Sequence, residues 1–150
     1  MLQRHIFDTS ALVKAVLPEA GSDRVHALLN DALAGQAELL TLELALVEAT
    51  NVLWKRVGRR PPDLAPDGAV QALDGLLELV RGTRVVTALS TKEFLNHALE
   101  IALVSCIPVY DSIFLSAAEG RAAVIVTGDR GQASVPQLLP LIPPPGAVLL

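Results

Sequence analysis

Short apolar runs bounded by turn residues alternate along this chain with longer segments in which apolar residues recur every three or four positions. The first pattern is typical of buried strands, and the second is typical of helices that pack on one face. The patterns predict strands over 2–7, 38–41, 83–88, 123–127 and 147–150, the last as a short edge strand. They predict helices over 10–17, 22–35, 42–57, 67–80, 90–104 and 109–119, and a loop over 128–134.

Glycine and small polar residues mark the expected ends of these helices. Ser22 is expected to cap the second helix. Gly58, followed closely by two prolines, is expected to close the third. Ser90 and Glu93 have the spacing of a capping box, in which each side chain binds the backbone of the other residue, at the start of the fifth helix.

The apolar positions also indicate which helix faces meet the core. Glu48 is the only charge between Leu44 and Val52, so we expect the helix over 42–57 to be largely buried. Two further helices carry apolar faces that are expected to point inward, formed by Val25, Leu28, Leu29 and Leu33 and by Val70, Leu73, Leu76, Leu77 and Val80.

Alternating strands and helices predict an α/β fold, a three-layer α/β/α sandwich with a mainly parallel central sheet. A chain of 150 residues can bury a sizeable core, and neither a repeat nor a linker divides it. We therefore expect residues 1–150 to form a single domain. In such sheets ligands bind beyond the carboxyl ends of the strands, so functional side chains are expected there.

Composition and charge exclude several classes of protein. With 51% apolar and 19% charged residues, the chain is too apolar to be intrinsically disordered. Its net charge of −4 argues against a protein that coats nucleic acid through overall positive potential. The single cysteine, Cys106, excludes an internal disulfide and a cysteine zinc site, and it is typical of a reducing cytosol.

No membrane or export segment is expected, and we predict a cytoplasmic protein. Asp8 comes before any apolar stretch long enough for a signal peptide. The uncharged stretch over 133–150 contains five prolines, which a membrane-spanning helix does not tolerate. The mean hydropathy of +0.46 favours an apolar surface patch that a second copy or another protein covers.

Four acidic residues stand where their surroundings are apolar or where a predicted strand ends. Asp8 and Asp129 follow the first and fourth strands, whereas Asp111 opens the last helix and Glu48 lies inside an apolar one. Each alone has an ordinary structural explanation. Asp8 and Asp111 are suited to cap helices, and Asp129 is suited to a turn. Glu48 is suited to pair with Lys55 or to face solvent.

Together these four carboxylates indicate a metal site, because loops at the carboxyl ends of parallel strands converge. Clustered carboxylates repel one another and take up protons unless a cation neutralises them. Hard divalent cations prefer oxygen ligands, so Mg²⁺ or Mn²⁺ is the expected ion, and two ions would suit a phosphodiester displacement. Ser10, Asn51 and Thr127 are candidates to orient carboxylates or water, or else serve as a helix cap, a helix-surface amide and a strand threonine.

Four short motifs follow one another along nearly the whole chain: Asp-Thr-Ser at 8–10, Glu48-x-x-Asn51, Tyr-Asp-Ser at 110–112 and Val-Thr-Gly-Asp at 126–129. This ordered set resembles the PIN-domain nucleases, and in particular the VapC-type toxins of toxin–antitoxin pairs. The resemblance implies a compact α/β/α fold and Mg²⁺- or Mn²⁺-dependent cleavage of single-stranded or structured RNA. It implies an acidic quartet of catalytic and metal-binding residues, namely Asp8, Glu48, Asp111 and Asp129, with Ser10 and Thr127 in support.

The resemblance also implies partners. Members of the family are commonly homodimers, and a small VapB-like antitoxin inhibits them by inserting residues into the active-site groove. The chain departs from some relatives at 130–132, where the sequence Arg-Gly-Gln lacks a further acidic residue. The second metal site, and hence the choice between one ion and two, is therefore left open.

The densest basic cluster, formed by Lys55, Arg56, Arg59 and Arg60, lies at the end of a predicted helix. Positive charge is favourable at a helix C-terminus and improves solubility. The alternative is contact with RNA phosphates, for which a chain of net charge −4 needs local positive charge. The sequence leaves both explanations open.

We predict a metal-dependent endoribonuclease, with two alternatives. A catalytically inactive PIN-like binding or scaffold module is disfavoured, because a cavity without activity would lose carboxylates that reduce stability. A Mg²⁺-dependent phosphatase is less favoured still. That chemistry needs a second aspartate two residues after Asp8, where Ser10 stands, and a late lysine, whereas none follows Lys92.

Overall fold

A parallel sheet forms the centre of the fold in the computed structural model, which describes residues 2–129 and 147–150. Its strands are β1 (Gln3–Phe7), β2 (Ala37–Leu42), β3 (Val86–Leu89), β4 (Val124–Thr127) and β5 (Ala147–Leu149). They pair in the order β3-β2-β1-β4-β5, and every pairing is parallel. The mainly parallel sheet that the sequence predicts is confirmed, with β3 shifted a few residues toward its C-terminal side.

Helices flank this sheet in two groups. They are α1 (Thr9–Val16), α2 (Ser22–Leu33), α3 (Glu43–Gly58), α4 (Pro66–Leu77), α5 (Leu95–Ser105) and α6 (Val109–Gly120). A π-helical segment (Glu78–Gly82) follows α4, and a 3₁₀ turn (Thr91–Phe94) precedes α5. Helix α1 packs against α2, α3 and α4, whereas α5 packs against α6, and both α1 and α6 contact β1 and β4. The predicted three-layer α/β/α sandwich is confirmed.

The core lies where β1 and β4 meet α1 and α6. Ile6, Phe7, Ile125 and Val126 are fully buried, as expected for central parallel strands that are covered on both faces. Helix α6 is buried continuously from its fourth to its tenth residue. It includes Ser112, whose hydroxyl donates to the Ala98 carbonyl at 2.7 Å and so satisfies a polar group inside the core.

The expected capping role of Ser22 is wrong. The residue at the N-cap of α2 is Gly21, whose positive φ of 92° turns the chain. The Ser22 side chain points back toward the preceding turn, where its hydroxyl donates to the Leu17 carbonyl at 2.9 Å and accepts from the Glu19 N–H at 3.0 Å. Ser22 therefore fixes the turn between α1 and α2.

The expected capping box before α5 is also absent. Ser90 makes no side-chain capping bond, and the helix begins with a 3₁₀ turn. Glu93 pairs with Arg121 at 3.0 Å, and the Thr91 hydroxyl accepts the Leu44 N–H at 3.1 Å. The Glu93 side chain, which the capping box required, thus makes a tertiary contact with Arg121 instead.

Several apolar side chains that were expected to be buried are exposed. In α3 the buried residues are Ala45, Ala49 and Leu53, while Trp54 is 70% exposed, so the expectation of a largely buried helix is wrong. Leu33 and Val70, both expected to point inward, are exposed as well. Helix α3 contacts α1, α4 and β2, and its fully buried residues form only a narrow stripe along these contacts.

No single helix among the described residues is long and apolar enough to cross a membrane. The helical segments Thr91–Ser105 and Val109–Gly120 reach the required length and composition only when taken together, across a bend of 117°. The predicted loop over 128–134 lies outside the described residues from position 130 onward.

His97 links α5 to α6. Its Nδ1 lies 3.0 Å from Glu100 Oε2, and its Nε2 bonds Glu119 Oε2. The hydrogen bonds to Glu100 and Glu119 raise the pKa of His97 above 6.5, so its stabilising contribution is complete below that pH and is lost as the pH rises through the raised pKa.

We expect His97→Gln to lower the free energy of unfolding by about 0.5 kcal/mol near pH ~5.5 and to have little effect near pH ~9, because solvent screens a side chain that is 43% exposed. Urea unfolding at the two pH values measures this difference. His26→Gln is the control, because the His26 ring lies against the Ala15 carbonyl instead. A loss of equal size at both pH values would contradict the prediction.

Candidate functional site

Strands β1 and β4 end side by side, and this places the first and last predicted acidic residues together. Phe7 pairs with Val126 in the parallel register, and the Asp8 N–H donates to the Val126 carbonyl at 3.2 Å. Asp8 and Asp129 therefore leave the same edge of the sheet, at the carboxyl ends where ligands of such folds bind.

The carboxylate of Asp8 is buried and accepts three hydrogen bonds. Its Oδ1 accepts from Ser10 Oγ at 2.6 Å and from the Ala11 N–H at 2.9 Å, and its Oδ2 accepts from Thr127 Oγ1 at 2.5 Å. Asp8 is thus the N-cap of α1, as its structural explanation required, and it also joins α1 to the end of β4. A carboxylate that is bonded at both oxygens has one defined orientation.

The two hydroxyls that bind Asp8 also accept hydrogen bonds. Ser10 Oγ accepts from the Gly128 N–H at 2.7 Å, and Thr127 Oγ1 accepts from the Asp129 N–H at 2.9 Å. Each hydroxyl therefore donates one hydrogen bond to Asp8 and accepts another from the backbone after β4. The main chain leading to Asp129 is positioned by the same network.

Glu48 and Asp111 approach from α3 and α6. The Thr9 hydroxyl donates to Glu48 Oε1 at 2.9 Å, so Glu48 bonds a neighbour of Asp8 instead of Lys55. Asp111 lies in the first turn of α6, whose N-cap is Pro108. The structural alternative, in which Asp111 caps this helix, is therefore wrong.

The four carboxylates line one cavity of about 300 Å³. Its other lining residues are Thr9, Ser10, Val13, Glu19, Val52, Arg56, Tyr110 and Phe114. Burial raises the pKa of Asp8, and the charge of Asp129 adds to this rise while the hydrogen bonds to Asp8 oppose it. Burial also raises the pKa of Glu48 and of Asp111, and repulsion from the other carboxylates raises both further. The cavity therefore favours either protons or a cation.

The donor atoms suit a hard divalent ion in kind, since they are carboxylate and hydroxyl oxygens. Burial is the largest cause of the raised pKa values of Asp8, Glu48 and Asp111, and repulsion between carboxylates adds to the rise; such an ion would relieve that repulsion. In the described part of the chain, however, no three histidine, cysteine, aspartate or glutamate side chains are arranged so that they could hold an ion as they stand.

The remaining predicted residues divide into two groups. Asn51 is exposed and does not line the cavity, so the structure does not bring it to the carboxylates. Of the basic cluster, Arg56 lines the cavity, while Lys55 is exposed and Arg59 pairs with Asp63 at 2.6 Å. Arg60 is exposed and donates to two backbone carbonyls near the end of α3.

Sequence reasoning missed Thr9 and Glu19. Thr9 stands between two quoted motif residues, and its link to Glu48 spans 39 positions. Glu19 binds Lys14 and Arg56, the latter 37 positions away. A helical repeat predicts neighbours within one helix, so neither long-range partner left a signal in the local pattern.

The chain is similar to several known proteins. The family model described as PIN domain matches residues 6–138. Ribonuclease VapC3 of Pyrobaculum aerophilum is 32% identical over 125 residues, which cover 83% of this chain and 88% of that protein. The crystal structure of PAE2754 from Pyrobaculum aerophilum has a TM-score of 0.65 at 24% identity and covers 89% of this chain and 79% of that chain.

A second solved structure shares the fold at lower sequence similarity. It is Mycobacterium tuberculosis VapC20, described as a Sarcin-Ricin loop cleaving toxin, with a TM-score of 0.56 at 18% identity. The match covers 83% of this chain and 91% of that chain. At such identity the likeness supports the arrangement of strands and helices.

Repulsion in the cavity leads to a stability prediction for Asp111→Asn. Because the pKa of Asp111 is raised, its ionisation destabilises the folded chain, and stability falls as the pH rises through that pKa. We expect the substitution to stabilise the metal-free protein at neutral pH by less than about 1 kcal/mol, since the cavity is open to solvent.

Asp67→Asn is the matched control for this measurement. Asp67 is also in the first turn of its helix, so both substitutions remove the same favourable charge at a helix N-terminus. Thermal unfolding in EDTA should give a higher Tm for Asp111→Asn than for Asp67→Asn, with the gap closing near pH ~4. Equal Tm values at neutral pH would contradict the repulsion argument.

A second prediction concerns the hydroxyl that binds Asp8. Thr127→Val should lower the free energy of unfolding by about 2 kcal/mol, because a buried charged acceptor loses a donor. Thr41→Val should lower it by only about 1 kcal/mol, since Thr41 is equally buried but donates to the neutral Phe7 carbonyl at 2.8 Å. Urea unfolding at neutral pH compares the two variants, and a smaller loss for Thr127→Val would count against the prediction.

Proposed function

This chain belongs to the PIN domain family, and from that premise we propose that it is an endoribonuclease that hydrolyses RNA phosphodiester bonds. The observation that carries the proposal is the cavity in which four carboxylates from separate elements face one another. RNA as the substrate class is supported by the relative named Ribonuclease VapC3 and by the neighbour described as cleaving the Sarcin-Ricin loop.

The proposed cofactor is Mg²⁺ or Mn²⁺, as one ion or two. The residues that would hold it are Asp8, Glu48, Asp111 and Asp129. When bound, the ion supplies positive charge that offsets the carboxylates and polarises a phosphodiester. Burial and the neighbouring carboxylates raise the pKa values of Asp8, Glu48 and Asp111, and this supports the assignment because a bound cation would offset the negative charge of these groups.

The side chains prepare the cavity for hydrolysis in two ways. Ser10 and Thr127 hold the Asp8 carboxylate in one orientation, and Thr9 does the same for one oxygen of Glu48. Raised pKa values bring carboxylates closer to the range in which they accept a proton from water. In the reaction, the water oxygen bonds to phosphorus, a carboxylate takes the water proton, and the bond to the leaving oxygen breaks. The leaving oxygen takes a proton from solvent and departs as an alcohol.

We also propose the role of toxin in a toxin–antitoxin pair that acts in the cytoplasm. A small VapB-like antitoxin would cover the cavity, and the chain would form a homodimer. Exposed Val47 and Trp54 on α3 support a protein partner, because large apolar side chains in solvent commonly mark interfaces. Exposed Lys55, Arg59 and Arg60 remain candidates for contact with RNA phosphates.

The proposal predicts that purified protein cleaves cellular RNA into discrete products with Mg²⁺ or Mn²⁺ and not with EDTA. Asp8→Asn and Asp111→Asn should each lower the cleavage rate by about 100-fold or more, because each removes a charge from the reacting cavity. Denaturing gel electrophoresis of a defined RNA over time measures the rates.

Asp67→Asn is the control for cleavage. Asp67 is exposed in the first turn of α4, so this substitution removes the same charge from a helix outside the cavity. It should cleave at the wild-type rate. Equal cleavage by all variants would contradict the proposed function, since the activity would then come from a contaminant. Metal binding without cleavage of any RNA would favour the binding or scaffold module.

A further inference from the structure

A cluster of three charged side chains lies at the carboxylate cavity, and two of them, Glu19 and Arg56, line it. Glu19, in the turn between α1 and α2, accepts from Lys14 Nζ at 2.8 Å through Oε1 and from Arg56 Nη2 through Oε2. The side chains of Lys14, Glu19 and Arg56 are only 14%, 21% and 22% exposed. Exposed ion pairs contribute little to stability, so this enclosed cluster requires an explanation beyond surface charge.

Arg56 keeps an unused donor in this cluster. Its Nε is buried and has no hydrogen-bond partner among the described residues, while Nη2 is bound to Glu19. Nε and Nη2 form one edge of the planar guanidinium, and that edge matches a carboxylate or phosphate with two oxygens. Because Glu19 divides its two oxygens between Lys14 and Arg56, it fills only half of this edge.

The negative charge of the cavity explains why a basic side chain would be needed there to bind a phosphate. Of the described residues that line it, Arg56 is the one lysine or arginine, whereas Glu19 and the four carboxylates carry negative charge. A backbone phosphate of RNA would be repelled by these carboxylates unless fixed positive charge attracted it. Arg56 and its neighbour Lys14 place such charge beside the carboxylates.

We propose that Lys14 and Arg56 form a binding site for a backbone phosphate of the RNA, and that Glu19 occupies this site until the phosphate replaces it. Two non-bridging phosphate oxygens bind the Nε and Nη2 edge of Arg56, and Lys14 Nζ supplies a further donor. This inference rests on the proposed function, because it takes RNA as the ligand. The inference adds to the proposed function a binding site for one phosphate and a residue, Glu19, that competes with the phosphate for this site.

Glu19 can leave the site without unfolding its turn. Its N–H donates to Ser22 Oγ at 3.0 Å, and its carbonyl accepts the Ser22 N–H at 3.1 Å, so the backbone is fixed independently of the carboxylate. Partial burial alone would raise the pKa of Glu19, but the hydrogen bonds to Lys14 and Arg56 outweigh it and hold the pKa below its usual range. Glu19 is therefore an anion that competes with phosphate at neutral pH.

Gly128 connects this site to the Asp8 network. A Cβ at Gly128 would lie 3.2 Å from Lys14 Cε and 3.3 Å from Ser10 Oγ, so both side chains pass close to the main chain after β4. Ser10 accepts the Gly128 N–H and donates to Asp8. A phosphate held by Lys14 is thus next to the residues that orient the carboxylates.

The test measures binding of a short, fluorescently labelled single-stranded RNA by anisotropy in EDTA, where no cleavage is required. We expect Glu19→Gln to bind about threefold to tenfold more tightly than wild type, because the competitor loses its charge. We expect Arg56→Gln and Lys14→Gln each to bind about tenfold more weakly. For both, the slope of log affinity against log salt should become shallower by about 0.7.

Arg4 and Glu38 provide matched controls. They form an arginine–glutamate pair at 2.6 Å near the amino ends of β1 and β2, at the opposite edge of the sheet. Arg4→Gln and Glu38→Gln change the net charge by the same amounts and should leave RNA affinity within about twofold of wild type, since charges beyond a Debye length are screened. Arg56→Lys should recover part of the lost affinity, because it restores charge without the planar edge.

The alternative is that Glu19 only ties α3 to α1 as a structural contact. In that case Glu19→Gln and Arg56→Gln would lower Tm to a similar extent, and RNA affinity would follow the Arg4 and Glu38 controls. That result overturns the proposal, as does a Glu19→Gln chain that binds no RNA. If Arg56→Gln does not fold, the opposite shifts expected for Glu19→Gln and Lys14→Gln still decide.

The outcomes also separate this proposal from the proposed function. Cleavage could depend on Asp8 and Asp111 while substitutions of Lys14, Glu19 and Arg56 leave the RNA affinity unchanged. That result would overturn the phosphate site alone. The expected order of affinities without any cleavage would overturn the endoribonuclease alone.

Discussion

A buried carboxylate needs donors for both of its oxygens, and Asp8 obtains them from two elements that are far apart in sequence. Ser10 and Ala11 come from the first turn of α1, and Thr127 comes from the end of β4. The alternative, a buried charge without partners, would be strongly unfavourable. The requirement therefore fixes where α1 begins, how β4 ends and where the cavity opens. The same hydrogen bonds thus make Asp8 the N-cap of α1 and orient its carboxylate at the cavity.

Charge is divided unevenly around this cavity. Carboxylates that repel one another line it, and beside them Lys14 and Arg56 bind Glu19. The first arrangement reduces the stability of the folded chain, whereas in the second Glu19 offsets one of the two positive charges. Functional sites commonly keep such unfavourable arrangements, because a ligand of opposite charge relieves them when it binds. The apolar strands beneath the cavity supply the stability that permits this.

The sequence predicted the parts of the fold that depend on local pattern. Apolar runs predicted the parallel strands, and their carboxyl ends predicted that Asp8 and Asp129 would meet. The local pattern did not predict contacts between segments that are distant in the sequence. The capping box failed because Glu93 pairs with Arg121, 28 positions away, and the buried stripe of α3 follows its contacts with α1, α4 and β2. Glu19 and Arg56 meet through a turn that no helical or strand repeat describes.

The hydrogen bond between Asp8 and Thr127 spans 119 positions. Contacts of such separation close large loops and form late in folding. Asp8 therefore gains the donor for its second oxygen only when β4 pairs with β1, so completion of the carboxylate cavity is tied to the long-range contacts of the sheet.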